Sequence, residues 1–270
     1  MSIRRLLRHV STSPSPIDYS TFLTRRSLAR QPSAIRALQP LATLPGMISL
    51  GGGMPNPTMF PLERLMVSLK DGSEVELAGA ELERALQYSP TAGLPSLVKH
   101  LCELQLAEHR CSVSSSSVCV TTGSADGLAK AFDALLGEGD ALLVETPTYS
   151  GSLAYLQPMA CNLVGVPCDA NDGLCPDALA LILSEWDERC EGARRPRVLY
   201  TIPTGANPTG ASLDGARKRA IYEVAREWSL LILEDDPYYW LQFSPGGSRV
   251  PAAGGAAGGA AGGAAGGAAG

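Results

Sequence analysis

The feature that most constrains the fold is an alternation of apolar strand patterns and helical patterns over residues 118–236. Continuous apolar strands separated by helices are typical of a parallel sheet that is covered on both faces. The predicted strands are Val118–Thr122, Ala141–Glu145, Leu163–Pro167, Val198–Ile202 and Leu230–Leu233. The predicted helices between them are Ser124–Leu136, Ser150–Met159, Pro176–Cys190 and Leu213–Trp228. The sequence therefore predicts an α/β fold with a mainly parallel sheet, and its ligand is expected at the carboxyl ends of the strands.

Outside this alternation, two more helices are predicted at Leu62–Lys70 and Leu94–His109. Ser212 and Asp214 are both candidate N-caps for the last predicted helix. The chain has 270 residues and is 45% hydrophobic, which is enough for one large domain or one and a half ordinary ones.

Charge and cysteine content narrow the kind of partner. The formal net charge is −5, and the body of the chain has no basic patch of the kind that nucleic-acid binders carry. The seven cysteines form no C-x-x-C pair, so neither a disulfide framework nor a zinc site is indicated. No apolar run is long enough to span a bilayer. We expect a small molecule in a cleft as the partner, with no nucleic acid and no membrane.

The two ends of the chain have unusual compositions. Residues 1–17 are rich in Arg, Ser and Pro, and the first acidic residue is Asp18. In residues 3–10, arginines and apolar residues fall on opposite faces of a helix, which is typical of a mitochondrial import leader. The alternative is a basic tail on a cytoplasmic protein. After Pro251 the chain contains Ala and Gly alone, so residues 251–270 are predicted to be a disordered tail of natural, engineered or gene-model origin.

Four short motifs follow the predicted strands, and each has an ordinary explanation when taken alone. Ser124 and the amides around it could bind an anion at a helix N-terminus, or simply cap the helix. Tyr149 could stack on an aromatic ligand, or lie at the edge of the core. Asn207 could donate to a phenolate-like oxygen, or form a tight turn with the residues after it.

The fourth motif is Glu234-Asp-Asp-Pro-Tyr-Tyr239, which follows the last predicted strand. Carboxylates at the end of an apolar strand are costly unless a positive group pairs with them, and a protonated pyridine nitrogen is such a group. A solvated turn is the alternative. Together, the four motifs supply what a phosphorylated hydroxypyridine needs: an anion site, a stacking ring, a donor and a carboxylate.

Several segments resemble the class I/II aminotransferases of fold type I, which depend on pyridoxal 5'-phosphate (PLP). The likeness is closest to the kynurenine/α-aminoadipate aminotransferase group and covers roughly residues 19–251. It rests on Gln31–Arg36, Met47–Pro57, Arg84–Pro90, Thr146–Gly151, Asn207–Gly210 and Glu234–Phe243. The resemblance implies an N-terminal arm with a substrate-side segment over residues 18–60 and an incomplete PLP-binding large domain over 61–250. The rest of that domain and the small domain would lie outside this sequence.

The resemblance also implies residue roles. Ser124 and the amide of Ala125 would hold the cofactor phosphate. Tyr149 would stack on the cofactor ring, Asn207 and Tyr238 would contact the ring oxygen, and Asp235 would pair with the ring nitrogen. Asp236 with Tyr239 has the same spacing, and the family register alone favours the earlier pair. Where relatives often carry a Gln that contacts the cofactor, this chain has Ala125 and Asp126. The resemblance therefore does not carry over that one side-chain contact.

Arg36, Gly53, Tyr88 and Asn207 would lie near the substrate, with Tyr88 reaching into a neighbouring subunit of a homodimer. The resemblance implies amino-group transfer from a kynurenine-like or 2-aminoadipate-like amino acid to a 2-oxo acid. Two alternatives stay open: a non-catalytic dimerisation or regulatory module of the same fold, and a PLP-dependent lyase or decarboxylase.

The lysines are the main departure from the family pattern. Relatives use a lysine that follows the Asp-x-x-Tyr strand to hold the cofactor covalently and to move protons. The lysines of this chain are at positions 70, 99, 130 and 218, all before that motif. The sequence therefore predicts no covalent cofactor attachment and no activity for this chain alone.

Overall fold

The computed structural model describes residues 17–31, 33–42, 44–48, 50–51, 53–186 and 194–242. The predicted leader, apart from its last residue, and the Ala/Gly tail lie outside these ranges. The chain divides into two compact units. Among the described residues, the sheet unit combines residues 17–30 with 123–186 and 194–242, and the hairpin unit lies within residues 31–122.

The bounds of the elements follow the chain order. The strands are β1 Arg64–Ser68, β2 Glu74–Ala78, β3 Ala141–Thr146, β4 Asn162–Asp169, β5 Gly173–Leu174, β6 Val198–Thr201 and β7 Leu231–Glu234. The α-helices are α1 Arg25–Leu28, α2 Ala34–Ala42, α3 Gly79–Leu86, α4 Pro95–His109, α5 Ser124–Leu135, α6 Ser150–Leu156, α7 Pro176–Ser184 and α8 Gly215–Glu227. Short 3₁₀ helices lie at Tyr19–Phe22, Pro57–Met59, Ser115–Ser117, Gln157–Met159 and Tyr239–Leu241.

The sheet unit contains a five-stranded sheet with the order β5-β4-β3-β6-β7. Its four longer strands are parallel, and β5 pairs antiparallel with β4. In the register, Val144 of β3 lies between Gly165 of β4 and Tyr200 of β6. The prediction of an α/β fold with a mainly parallel sheet is therefore confirmed, and the carboxyl ends of β3, β6 and β7 lie at one edge.

Helices cover both faces of this sheet. Because alternate residues of a strand point to opposite faces, those of β3 and β6 enter two different cores. Leu143 and Leu199 pack in a cluster with residues of α7 and α8, including Leu179 and Ile221. On the opposite face, the cluster is made by Phe132 of α5, Leu156 of α6, Leu142, Val144, Val198 and Tyr200. The central strands are consequently buried on both sides, which explains why their sequences read as continuous apolar runs.

Of the two candidate caps for α8, the structure selects Asp214. Its Oδ1 accepts a hydrogen bond of 2.7 Å from the backbone amide of Arg217. This bond satisfies one of the amides that have no partner within the first turn of a helix. α7 ends at Ser184, and residues 187–190 of its predicted range lie outside the described residues.

The predicted helix at Leu62–Lys70 is wrong, because these residues form β1 of an antiparallel hairpin in the hairpin unit. The turn between β1 and β2 contains Asp71 and Gly72, and Gly72 has a φ of 87°, which favours glycine. Asp71 Oδ1 accepts a 2.9 Å hydrogen bond from the amide of Ser73. An Asp-Gly pair is a strong hairpin signal, and here it overrides the helical spacing of the apolar residues.

The predicted strand at Val118–Thr122 is also absent from the strands of the described residues. Val118 has an extended backbone and directly follows a 3₁₀ helix. The amide of Val120 donates a 2.8 Å hydrogen bond to the carbonyl of Ala92, and this contact replaces a strand ladder. The apolar run therefore packs as an extended segment of the hairpin unit. Within the described residues, no helix has the length and apolar character to cross a membrane.

Candidate active site

The candidate site lies in the sheet unit, where β3, β6 and β7 end. Asp235 directly follows β7, and its amide donates a 3.0 Å hydrogen bond to the carbonyl of Thr201 at the end of β6. Glu145 of β3 lies beside Thr201 of β6, and their side chains form a hydrogen bond. Parallel strands bring their carboxyl ends to one edge, so the sheet places these side chains close together.

The N-terminus of α5 has exposed backbone amides that can face a ligand. Gly123 precedes the helix with a φ of 85°, and no atom of the described residues lies within 4 Å of the position that a Cβ would take there. The first hydrogen bond of the helix runs from the amide of Gly127 to the carbonyl of Gly123. The amides of Ser124 and Ala125 precede this bond, and both residues are exposed. This end of α5 can accept an anion.

The first turn of α5 also carries an acidic side chain, which would repel an anion if it acted alone. The carboxylate of Asp126 forms an ion pair with Lys130, one turn further along the helix. The Asp126 side chain is 32% exposed, and that of Lys130 is 64% exposed. This pair offsets the charge of Asp126 at the open end of the helix.

Tyr149 precedes the first residue of α6, and its ring covers the backbone of Gly151. A Cβ on Gly151 would lie 2.4 Å from Cζ of Tyr149, so glycine leaves the room that the ring occupies. The tyrosine is 37% exposed, and one face of an exposed ring can receive an aromatic ligand. A glycine at position 151 of the Tyr-Ser-Gly motif therefore makes room for the ring of Tyr149.

Asp235 is held by a buried chain of hydroxyl groups that sequence reasoning missed. The hydroxyl of Tyr200 donates to Asp235 Oδ2 over 2.9 Å, and Ser152 Oγ donates to the Tyr200 hydroxyl over 2.9 Å. Tyr200 is fully buried, and Ser152 and Asp235 are buried as well. Among the described residues, no hydrogen bond to Asp235 Oδ1 is found.

Burial raises the pKa of Asp235 above its ordinary value, and the neighbouring Asp236 adds to the effect. The hydrogen bond from Tyr200 acts in the opposite direction and lowers the pKa of Asp235. Burial also raises the pKa of Tyr200, with a further contribution from Asp235, so Tyr200 stays protonated and remains a donor. A cation beside Asp235 would relieve the cost of this buried charge.

Asn207 and Tyr238 lie in two loops that meet. The ring of Tyr238 packs against Gly205, where an added Cβ would lie 3.5 Å from Cδ2 of the ring. The loop of Asn207 is closed by a 2.8 Å hydrogen bond from the amide of Ala206 to the carbonyl of Ala211. The half-buried side chain of Asn207 has no hydrogen bond among the described residues.

The structure also distinguishes the two carboxylates after β7. Tyr200 bonds Asp235, whereas Oδ1 of Asp236 is buried and has no hydrogen-bond partner among the described residues. Asp236 contacts the backbone of the following turn, where the amide of Tyr239 donates to its carbonyl over 3.4 Å. Of the two carboxylates, Asp235 is therefore the one that a buried hydroxyl group holds in place.

Glu145 is a second buried acid that sequence reasoning did not single out. It is 3% exposed, and its Oε1 accepts hydrogen bonds from Thr201 Oγ1 at 2.6 Å and from the amide of Ile202 at 3.1 Å. Its Oε2 is buried without a partner among the described residues. Burial raises the pKa of Glu145. The signal was available, because Glu145 is a carboxylate at the end of an apolar strand, as Asp235 is.

The residues that were predicted to lie near the substrate, other than Asn207, belong to the hairpin unit. Arg36 lies on α2, but its side chain is outside the described structure. Tyr88 follows α3 and is 71% exposed. The side chain of Gln87 donates a 2.9 Å hydrogen bond to the carbonyl of Pro55, which joins the segments that carry Tyr88 and Gly53.

The four lysines lie on turns and helices. Lys70 is at the hairpin turn and Lys99 is on α4, both in the hairpin unit. In the sheet unit, Lys130 on α5 pairs with Asp126, and Lys218 on α8 belongs to the helix layer of the other sheet face. No described hydrogen bond or ion pair joins any of them to Asp235.

Comparisons with known proteins show the family of this chain. The model of the family described as aminotransferase class I and II matches residues 48–257. The mitochondrial kynurenine/α-aminoadipate aminotransferase of Rattus norvegicus is 43% identical over 240 residues, which are 84% of this chain and 56% of that protein. The chain thus spans about half the length of the curated relatives it matches.

Solved structures show the same likeness. The aminotransferase Aro8 from Candida albicans has a TM-score of 0.76 and 30% identity, covering 86% of this chain and 52% of that chain. The α-aminoadipate aminotransferase LysN from Thermus thermophilus, solved with N-(5'-phosphopyridoxyl)-L-leucine, has a TM-score of 0.51 and 32% identity. This match covers 62% of this chain and 39% of LysN. The chain belongs to the class I and II aminotransferases.

Proposed function

We propose that this chain carries the cofactor-binding part of a PLP-dependent aminotransferase that moves an amino group from an α-amino acid to a 2-oxo acid. The observation that carries the proposal is the buried, hydrogen-bonded Asp235 at the carboxyl edge of the sheet in a chain of the aminotransferase family. The bound phosphopyridoxyl compound of LysN supports the choice of cofactor.

The donor set fits the cofactor. Asp235 presents an oxygen with no described hydrogen bond, and a protonated ring nitrogen would supply the missing positive partner. The helix end at Ser124 and Ala125 offers amides to a phosphate, with open space at Gly123. Tyr149 offers its ring face for stacking, about 1 kcal/mol for such a contact.

In the proposed reaction the cofactor supplies an electron sink for the substrate carbon, and the protein residues orient it. Asp235 would keep the ring nitrogen protonated, while Asn207 and Tyr238 would donate to the ring oxygen. The amides of Ser124 and Ala125 would hold the phosphate in place. Arg36, Gly53 and Tyr88 are proposed to lie on the substrate side, with Tyr88 acting across a homodimer.

Kynurenine-like and 2-aminoadipate-like amino acids are the proposed substrates, because the rat relative is a kynurenine/α-aminoadipate aminotransferase. The mitochondrial name of that relative, together with the basic leader, supports a mitochondrial location. To test the reaction, the whole aminotransferase that contains this cofactor-binding part is saturated with PLP and supplied with L-kynurenine or 2-aminoadipate and a 2-oxo acid. Equimolar formation of the acceptor's amino acid supports transamination, whereas release of CO₂ or of a side-chain fragment supports a lyase or decarboxylase.

We propose in addition that none of the four lysines holds the cofactor covalently, so that this chain alone is inactive. Lys130, the lysine closest to the phosphate end of the site along the chain, is already paired with Asp126. The test is treatment of the PLP-loaded chain with borohydride, followed by mass spectrometry of peptides. A stoichiometric cofactor adduct at a single lysine would overturn this proposal, and sparse labelling spread over several lysines would support it.

A further inference from the structure

Three buried hydroxyl and carboxyl groups from different elements form one hydrogen-bonded chain beneath the candidate site. Ser152 belongs to the first turn of α6, Tyr200 to β6 and Asp235 to the segment after β7. They are separated by 48 and 35 positions in the sequence, yet both contacts are 2.9 Å long. Each residue is at most 9% exposed.

The ring of Tyr200 fixes the position of its hydroxyl. It packs edge-to-face against Phe132, with ring centroids 5.5 Å apart and an angle of 74° between the rings. A phenylalanine could fill the same core volume without the cost of burying a hydroxyl group. The hydroxyl therefore needs another explanation than packing, and its two hydrogen-bond partners provide one.

The direction of the two hydrogen bonds decides which oxygen of Asp235 is held by Tyr200 and which stays available. Ser152 donates to the oxygen of Tyr200, so the single proton of Tyr200 is directed to Asp235 Oδ2. One oxygen of Asp235 is thereby held, and the other stays available. Two charged groups act against ionisation here, because Asp236 raises the pKa of Asp235 and Glu145 raises that of Tyr200.

We propose that Tyr200 and Ser152 are positioning residues that keep the Asp235 carboxylate ionised and direct Oδ1 toward the ring nitrogen of the cofactor. This inference rests on the proposed function. Neither residue would touch the cofactor, since both are buried behind Asp235. They act through the carboxylate, as supporting groups commonly orient ligands of a functional site.

The test compares Tyr200→Phe with the matched variant Tyr155→Phe. Tyr155 stacks on the same Phe132 ring, but its hydroxyl donates to the backbone carbonyl of Ala129 over 3.3 Å. Both variants lose one hydroxyl from the same aromatic cluster, and only Tyr200→Phe removes the bond to Asp235. Thermal melts first establish that each variant is folded.

The first readout is the titration of Asp235 in the cofactor-free chain, followed by NMR of ¹³C-labelled aspartate carboxyls and assigned with Asp235→Asn. We expect the titration midpoint to move up by about one pH unit in Tyr200→Phe, since a hydrogen bond to a charged group is lost. Tyr155→Phe should leave it in place. Ser152→Ala should move it less than Tyr200→Phe does, because Tyr200 can still donate.

The second readout is the affinity for pyridoxamine 5'-phosphate, which has the ring nitrogen and phosphate but needs no lysine. Binding should weaken about tenfold in Tyr200→Phe near neutral pH and remain unchanged in Tyr155→Phe. If the unaltered chain binds the compound but Tyr200→Phe changes neither readout, the inference is wrong and the proposed function stands. If the unaltered chain does not bind it, the proposed function fails, and the positioning role fails with it.

Discussion

Replacing Gly151 with alanine should separate cofactor binding from folding. A Cβ at this position would lie 2.4 Å from Cζ and 2.5 Å from Cε1 of Tyr149. Carbon atoms in contact are about 3.5 Å apart, so the ring must move by roughly 1 Å. The ring is partly exposed and lies at the end of a rotatable side chain, so it can move without disturbing the core.

The two expected effects have opposite signs. Gly151 lies within α6, where alanine is a better helix former than glycine by up to about 1 kcal/mol. The free energy of unfolding should therefore stay the same or rise. Loss of a well-placed stacking contact costs about 1 kcal/mol, which corresponds to about threefold to fivefold weaker binding of the cofactor.

The assay is a fluorescence titration with pyridoxamine 5'-phosphate, combined with chemical denaturation of each variant. Tyr149→Leu alone should weaken binding about fivefold, and adding Gly151→Ala to it should cause little further loss, because both changes act on one contact. The reasoning is refuted if Gly151→Ala binds as tightly as the unaltered chain while Tyr149→Leu does not. In that case the ring position over Gly151 is not the stacking position.

Three other substitutions test the packing and the electrostatics. Gly93→Ala should lower the free energy of unfolding by about 3 kcal/mol, because the new Cβ would lie 2.6 Å from Val120 Cγ2 at a φ of 118°. Gly72→Ala, with no neighbour within 4 Å, should cost about 1 kcal/mol, and equal losses in urea denaturation would contradict the account. Burial raises the pKa of Glu145, so stability from its neutral form is present below pH 4.5 and is lost as pH rises. The advantage of Glu145→Gln over the unaltered chain should therefore grow as the pH rises above 4.5, and a parallel pH profile would argue against a raised pKa.

The central strands could be predicted from sequence because burial on both faces leaves a continuous apolar run, as in Ala141–Thr146. The hairpin at Arg64–Ser68 could not be read from apolar spacing alone, since its short run fits both a helix and a strand. The Asp-Gly turn at positions 71 and 72 was the better signal there. Strand ends thus carried more information than the periodicity of short exposed segments.

Some side chains of the candidate site could be predicted from the sequence, and others could not. Asp235 is visible in the sequence because a carboxylate after an apolar strand demands a partner. Tyr200 and Ser152 carry no such local signal, since their roles depend on contacts between residues that lie 35 and 48 positions apart. Tertiary packing creates these contacts, so they emerge from the structure and not from any single motif.

The most direct measurement of the central claim is the affinity for pyridoxamine 5'-phosphate of Asp235→Asn and of Asp236→Asn, each relative to the unaltered chain. We expect Asp235→Asn to bind about tenfold more weakly or worse, because a charge-assisted hydrogen bond to the ring nitrogen is lost. Asp236→Asn should bind as tightly as the unaltered chain, or more tightly, because Asp236 raises the pKa of Asp235. Weaker binding in Asp236→Asn with no change in Asp235→Asn would contradict the account.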